Sequence, residues 1–534
     1  MRAAGSIDRR RLVQLAAACA ASPWLPRSAW SGVNFRADPF ALGVASGSPT
    51  HDSVVLWTRL VFGTASDAPP SAGPATVRWE VADDDKFKRI ARTGQAQAVP
   101  ELAHSVHAEV AGLAPDRWYF YRFMAGAAVS PVGRTRTLPG ADAAVARLRL
   151  GYASCQKWED GYFTAWRHML AENLDAVLFL GDYIYEYPGT SSRIRRPGGG
   201  WVISLDDYRG RYALYKSDPD LQAIHAACPW LMTWDDHEVQ NDYAGLQAGN
   251  SGPNDPSLPA DFAVRRGAAY QAYYEHMPLR ASVLERSLAG LAKPGGIRIY
   301  TRLQAGRLVS MLLLDDRQYR DPQVCTRDGK TGSGVVNPAL CPQWLDPRRT
   351  LLGREQERWL DQALALPGTR ERSWNVIAQQ TAFGQRDFRM GAGESFSNDG
   401  WDGYAAARTR LTDSLRRHAV PNAVLLGGDV HANWVGHVKA DYARPDSDAV
   451  GVEFCGTSIT SRGGGNEKLP ERLAENPHFV FADAQAHGYG VAEFTPAQLT
   501  TTLRVVDDVA RADTRIQTLA AFVVQAGRPV VQRV

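Results

Sequence analysis

Three things are scarce in this chain of 534 residues, and each scarcity excludes something. Charge imbalance is the first. A formal net charge of +3 over this length is too small to argue for a nucleic-acid or membrane-surface partner. Long apolar runs are the second. No stretch of 18 or more apolar residues occurs, so no transmembrane helix is expected. Cysteine is the third, with six in the whole chain, too few for a disulfide scaffold. What remains is the composition of an ordinary globular protein, 44% hydrophobic and 22% charged, long enough for two domains with sizeable cores.

The N-terminus differs from the rest. Asp8-Arg9-Arg10-Arg11 leads into the Ala-rich segment Leu15 to Ala21. A charged start, a short apolar run and small residues read as a signal peptide over 1–31, and the paired arginines suggest the twin-arginine type. No clean Ala-x-Ala marks the cleavage point. Export places the cysteines in an oxidising compartment. Cys325 and Cys341 flank a Gly-, Asn- and Pro-containing loop and read as a disulfide. Cys228 and Cys455 sit in apolar settings and read as buried thiols.

Residues 38–138 carry short strands broken by turn clusters, among them SVVLWTRL, TVRWEVAD and RWYFYRFMAG. That rhythm predicts a small all-β sandwich of immunoglobulin or fibronectin type. His104 and His107 in it read as surface residues. From 147 to 534 the pattern becomes strands alternating with helices. The apolar runs of this second region suit strands buried on both faces. Several end in polar side chains: LRLGYASC at Cys155, DAVLFLGDYIY at Asp182 and Tyr185, WLMTWDDHE at Asp236 and His237, LLLDDR at Arg317, and NAVLLGGDVH at Asp429 and His431. Ligands in open α/β sheets bind beyond the carboxyl ends of the strands. Carboxylate, phenolate, imidazole and thiolate groups gathered there can hold a strongly Lewis-acidic metal. Any one of these ends alone reads equally well as a strand followed by a polar turn. Their recurrence, GDxxY then DHE then GDVH, carries the metal-site reading.

Together with ASCQ, GYFTAW, WDGY, GGDVHANW and GTSITS, these residues resemble the metallophosphoesterases, and specifically the PhoD-like alkaline phosphatase and phosphodiesterase family. The resemblance implies an α/β metallophosphoesterase sandwich with flanking helices behind the small β domain. It implies a site like that of purple acid phosphatases, with one ferric ion held by Cys155, Asp182, Tyr185 and His431. One or two calcium ions, or other divalent ions, would be held by Asp182, Asp236, Asn241 and Asp429. A hydroxide made available by the ferric ion would attack phosphorus in line, with His237 or solvent protonating the leaving oxygen. Arg317, Arg408 and Trp401 are candidate substrate contacts; ion pairing for the arginines and packing for the tryptophan are the competing readings.

The expected function is an exported alkaline phosphatase acting on phosphate monoesters, with diesters as a further class. A phospholipase D-like or teichoic-acid phosphodiesterase is the alternative enzyme. A secreted, non-catalytic phosphate- or wall-binding protein is the alternative of another kind. Expected partners are small phosphate esters and, during export, the twin-arginine translocase, with a periplasmic or secreted monomer as the product.

Overall fold

A computed structural model describes residues 35, 37–63, 73–189, 194–196, 198–252, 254–256, 259–284, 297–326, 331–444 and 446–534. The export segment read over 1–31 lies outside them. The chain divides into two compact units. One comprises residues 1–140, 204–231 and 266–298, and the other 141–203, 232–265 and 299–534.

In the first unit, Val44–Gly47, Val54–Arg59 and Ser105–Val110 form an antiparallel set. Ile90–Ala98, Ala75–Ala82 and Trp118–Ala125 form a second one, extended by Ala128–Val129 and Gly133–Arg136. Alternate residues of the two sets, including Val54, Leu56, Val106, Val77, Val81, Tyr121 and Phe123, share one buried cluster. This period-two burial makes the expected β sandwich. Later segments of chain add helices to the unit. Leu205–Lys216 opens on a Ser204 capping box, and Asp218 caps Pro219–Ala227 through the Asp220 and Leu221 amides.

His107 is not at the surface. It is 5% exposed, and its Nε2 lies 2.8 Å from the Tyr274 carbonyl and 3.0 Å from that of Met277. Two carbonyls at one nitrogen require that nitrogen to carry the proton. Burial holds the ring's pKa down at about 4, so it is neutral at pH 7 with its proton on Nε2. His104 is half-buried, with Nδ1 3.2 Å from the Ala98 carbonyl.

The second unit carries two groups of strands. In one, Leu148–Ala153 pairs parallel to Ala176–Phe179 and antiparallel to His487–Phe494. Gln498–Val506, Ile516–Gln525 and Gln532–Arg533 continue it outward. The second group runs Thr301–Ala305, Val309–Leu313, Trp374–Ala378, Ala423–Gly427, Ala449–Cys455, Asn433–Lys439, Phe479–Asp483. Its centre is parallel and buried throughout. The two groups meet face to face: Trp374 Nε1 donates to the Thr495 carbonyl at 2.7 Å, and Phe522 packs on Phe454 and Phe481. Helices Gly353–Ala365 and Ala405–Arg417 cover the second group, with Leu360, Leu364, Leu411 and Leu415 packed against Leu312, Ile377 and Leu425.

The helix that follows Gly161-Tyr162-Phe163 spans only Thr164–Leu170. Between Gln498–Val506 and Ile516–Gln525, the stretch Asp507 to Arg515 is a connection in which the Asp507 amide donates to the Arg515 carbonyl and Thr514 Oγ1 accepts from the Asp508 amide. The tail completes a sheet edge.

Candidate metal centre

Strand ends bring the site together. Leu148–Ala153 ends one residue before Ser154-Cys155, and Ala176–Phe179 runs into Gly181-Asp182. The Cys155 amide donates to the Gly181 carbonyl at 3.0 Å, and the Gln156 amide to the Asp182 carbonyl at 3.1 Å. The Thr233 amide donates to the Phe179 carbonyl, which brings Asp235, Asp236 and His237 alongside. Gly181 has φ +110°, and a Cβ there would lie 2.4 Å from Asp235 Cβ, so only glycine lets these loops approach. Ala423–Gly427 delivers Asp429 and His431 in the same way. Cys155, Asp182, Asp429 and His431 all hold left-handed φ values, 60°, 58°, 66° and 51°. Such conformations cost on the order of 1–3 kcal/mol each and concentrate at functional sites.

Cys155 Sγ, an Asp182 oxygen and a His431 ring nitrogen lie within 4.8 Å of one another. Tyr185 Oη joins them, 3.0 Å from Asp182 Oδ2 and 3.2 Å from His431 Nε2. The other ring nitrogen of His431 lies 2.8 Å from the Arg462 carbonyl. A proton on that nitrogen leaves the Nε2 lone pair facing the cluster, as a metal ligand requires. The four residues expected to hold iron are thus brought together. Beside them, Asp235, Asp236 and Asp429 form one acidic group, and Asp236, Asp242 and Asp399 another. Asn241 lies on the adjoining loop; its side chain donates to the Asn250 carbonyl at 2.9 Å and its amide to Glu186.

The donor set fits metal ions. Burial, and then the Asp182 carboxylate, push the Cys155 thiol and the Tyr185 phenol up. Asp182 is itself pushed up by burial, with His237 opposing and Asp236 adding to the rise. Asp235 Oδ2 and Asp236 Oδ1 are buried with no hydrogen-bond partner among the described residues. Buried anionic oxygens in this number need cations.

Two glutamates that sequence reasoning passed over hold the loops. Glu238, 1% exposed, accepts from the amides of Asp182 at 3.1 Å, Tyr183 at 2.6 Å and Asp235 at 2.8 Å. Glu186, fully buried, accepts from His237 Nδ1 at 2.7 Å, from the Asn241 amide at 2.8 Å and from Ser251. The His237 ring also packs, tilted, against Tyr185, with centroids 4.2 Å apart. Burial lowers the His237 pKa, but the carboxylates of Asp182, Glu186 and Asp236 outweigh it and raise the value to about 10.

Arg317 makes its ion pairs with carboxylates distant in the chain. It is 1% exposed, pairs with Asp235 and Asp399, and places Nη2 3.4 Å from Asp429 and 3.7 Å from Asp236. It neutralises the floor of the acidic group. Arg408 is buried against Asp402 and Gln385, and Trp401 is buried on Phe383 with its Nε1 on Gln379. WDGY, which ended a glycine-rich loop in the sequence, is core. Cys325 and Cys341 form the expected disulfide, and Cys155, Cys228 and Cys455 are buried free thiols.

Residues 150–503 match the PhoD-like phosphatase family, and residues 27–139 match the N-terminal domain of PhoD-like phosphatases. The chain belongs to the PhoD-like phosphatase family. It is 43% identical over 511 residues to alkaline phosphatase D of Bacillus subtilis (strain 168), covering 94% of this chain and 83% of the relative. A solved structure of PhoD superposes with a TM-score of 0.86 at 42% identity, covering 94% of this chain and 93% of that one. A purple acid phosphatase from yellow lupin seeds shares the fold, with a TM-score of 0.52 at 10% identity over 90% of this chain and 73% of the other. This PhoD-like chain is therefore a phosphoric ester hydrolase, and its homology implies metal ions. No helix among the described residues is long and apolar enough to cross a membrane.

Proposed function

We propose that this chain is an exported alkaline phosphatase of the PhoD type. Its ferric ion is held by Cys155, Asp182, Tyr185 and His431, and its calcium by Asp182, Asp236 and Asp429 with Asn241 nearby. The observation that carries this reading is the convergence of Cys155, Asp182 and His431 within 4.8 Å, with Tyr185 Oη in hydrogen-bond reach of the last two. Thiolate and phenolate suit a ferric ion, and an all-carboxylate and amide set suits calcium. When bound, the ions supply Lewis acidity, raising the acidity of a water nucleophile and neutralising charge on the phosphoryl oxygens.

The rest falls to the protein. Glu186 accepts a hydrogen bond from His237 Nδ1 and so fixes the ring, while the contact with the Tyr185 ring helps hold its plane. The other ring nitrogen donates a proton to the leaving oxygen. Arg317 holds a positive charge beside the Asp236 and Asp429 carboxylates. The substrates are small phosphate monoesters, with diesters as a second class. Export uses the twin-arginine route suggested by Arg9-Arg10, and the product is a periplasmic or secreted monomer.

The test uses protein purified without chelator and compares wild type with His237→Gln on an alkyl phosphate, on p-nitrophenyl phosphate and on bis-p-nitrophenyl phosphate. The variant is expected to lose about 10²–10⁴-fold on the alkyl ester, whose leaving group needs a proton, and far less on the nitrophenyl esters. Wild-type protein that binds phosphate yet turns over none of the three esters would sink the reading.

A further inference from the structure

The segment GTSITS, residues 456–461, follows the strand Ala449–Cys455 and lies along Ser154 to Lys157. Ser458 bridges to Ser154, and the Ile459 amide donates to the Ser154 carbonyl at 3.0 Å. The Thr460 and Ser461 amides approach the Cys155 carbonyl at 3.4 and 3.2 Å. Thr460 Oγ1 donates to the Lys157 carbonyl at 2.8 Å. Ser461 is 1% exposed, and its Oγ has two close neighbours, the Cys155 carbonyl at 2.8 Å and Tyr185 Oη at 2.6 Å.

A hydroxyl has one proton to give and two lone pairs to accept with. Tyr185 Oη is itself surrounded, by Ser461, by Asp182 Oδ2 and by His431 Nε2. As a phenol it satisfies one of them. As a metal ligand it is a phenolate and has no proton, so the Ser461 contact survives only if Ser461 donates. The Cys155 carbonyl does not suffer, because it keeps the backbone amides of Thr460 and Ser461. We infer that Ser461 is a positioning residue for the metal centre, holding the Tyr185 oxygen in place and donating a hydrogen bond to it when it is a ligand. The inference rests on the ferric reading above.

The consequence is electronic as well as geometric. A donor on the phenolate oxygen draws electron density away from the metal, and in a buried site that hydrogen bond is strong. Outer partners of this kind are worth about 10- to 100-fold in metal affinity. The phenolate-to-iron charge-transfer band should therefore lie at higher energy in the wild type than in a protein lacking the donor.

The test compares wild type, Ser461→Ala and Ser461→Thr for iron per chain, visible spectrum and iron loss to a chelator. Ser461→Ala is expected to move the band to longer wavelength and to release iron about 10- to 100-fold more readily. Ser461→Thr, which keeps the hydroxyl, is expected to match the wild type on both. An iron-loaded Ser461→Ala protein with an unmoved band overturns the inference. Should that variant not fold, the wild type suffices: resonance Raman in heavy water must shift the phenolate stretch, and an unshifted stretch overturns the inference equally. A colourless wild-type protein that still hydrolyses phosphate esters overturns the ferric reading, a distinguishable outcome, and the inference with it.

Discussion

Glu238 has one carboxylate and three backbone donors to serve, and it serves them from the centre of the site. Burial is the first influence on it and pushes its pKa up to about 7, while the three amides pull the other way. Glu238→Ala would leave the amides of Asp182, Tyr183 and Asp235 buried without an acceptor. Each such loss costs about 1–3 kcal/mol, so the urea midpoint should fall by an amount equivalent to at least about 3 kcal/mol, with metal content falling alongside. Neither glutamate was legible from sequence, for a physical reason. Glu238 ties up backbone amides and Glu186 takes partners more than 50 residues further along the chain, so both look like any charge in YIYEY or DDHE. The residues proposed as metal ligands were legible because they sit at the ends of apolar runs. The partners of Arg317 were not, since Asp235 and Asp399 are each 82 residues away in the chain.

At the scale of the element, the parallel strands set where the proposed ligands arrive. They could be read because strands buried on both faces are continuous apolar runs, as in Ala423–Gly427 and Val309–Leu313. Their exit is built with little tolerance. A Cβ on Gly428 would lie 2.4 Å from Ser154 Oγ and 2.8 Å from Ser154 Cβ, and Ser154 precedes Cys155. Gly428→Ala therefore has to push apart the two strand ends that carry Cys155 and Asp429. The expected cost is about 1–3 kcal/mol of stability by thermal or urea unfolding, with a loss of iron per chain larger than the loss of fold. Elements without such periodicity were read less well. The Asp507 to Arg515 connection is rich enough in Asp and Arg to suggest a short helix, but its backbone is closed by a Thr514 hydroxyl and a strand-end pairing.

At the scale of the whole molecule, the composition bounds the class of protein, and the pH response of folding adds a check on its core. His107 is neutral in the folded chain, with its pKa held near 4 by burial, against about 6.5 unfolded. The unfolded chain binds the extra proton first as pH falls. The contribution of His107 is thus fully present above pH 6.5 and lost as pH drops from there toward 4. The difference corresponds to up to about 3 kcal/mol. His107→Gln keeps an N–H for the Tyr274 and Met277 carbonyls without the titration. Between pH 7 and pH 4 the wild type should lose up to about 3 kcal/mol of stability relative to the variant, read from urea midpoints; parallel curves would mean the ring is not buried and neutral. His107 was misread as a surface residue because the carbonyls that bury it lie 167 and 170 positions further along the chain.

The central claim is that one iron sits among Cys155, Asp182, Tyr185 and His431. Anomalous diffraction at the iron edge, on crystals of protein never exposed to chelator, addresses it most directly. The account predicts a single iron peak bounded by Cys155 Sγ, an Asp182 oxygen, Tyr185 Oη and His431 Nε2, with a lighter cation against Asp236 and Asp429. Density for two equivalent divalent ions, with Cys155 and Tyr185 outside their coordination, would contradict it.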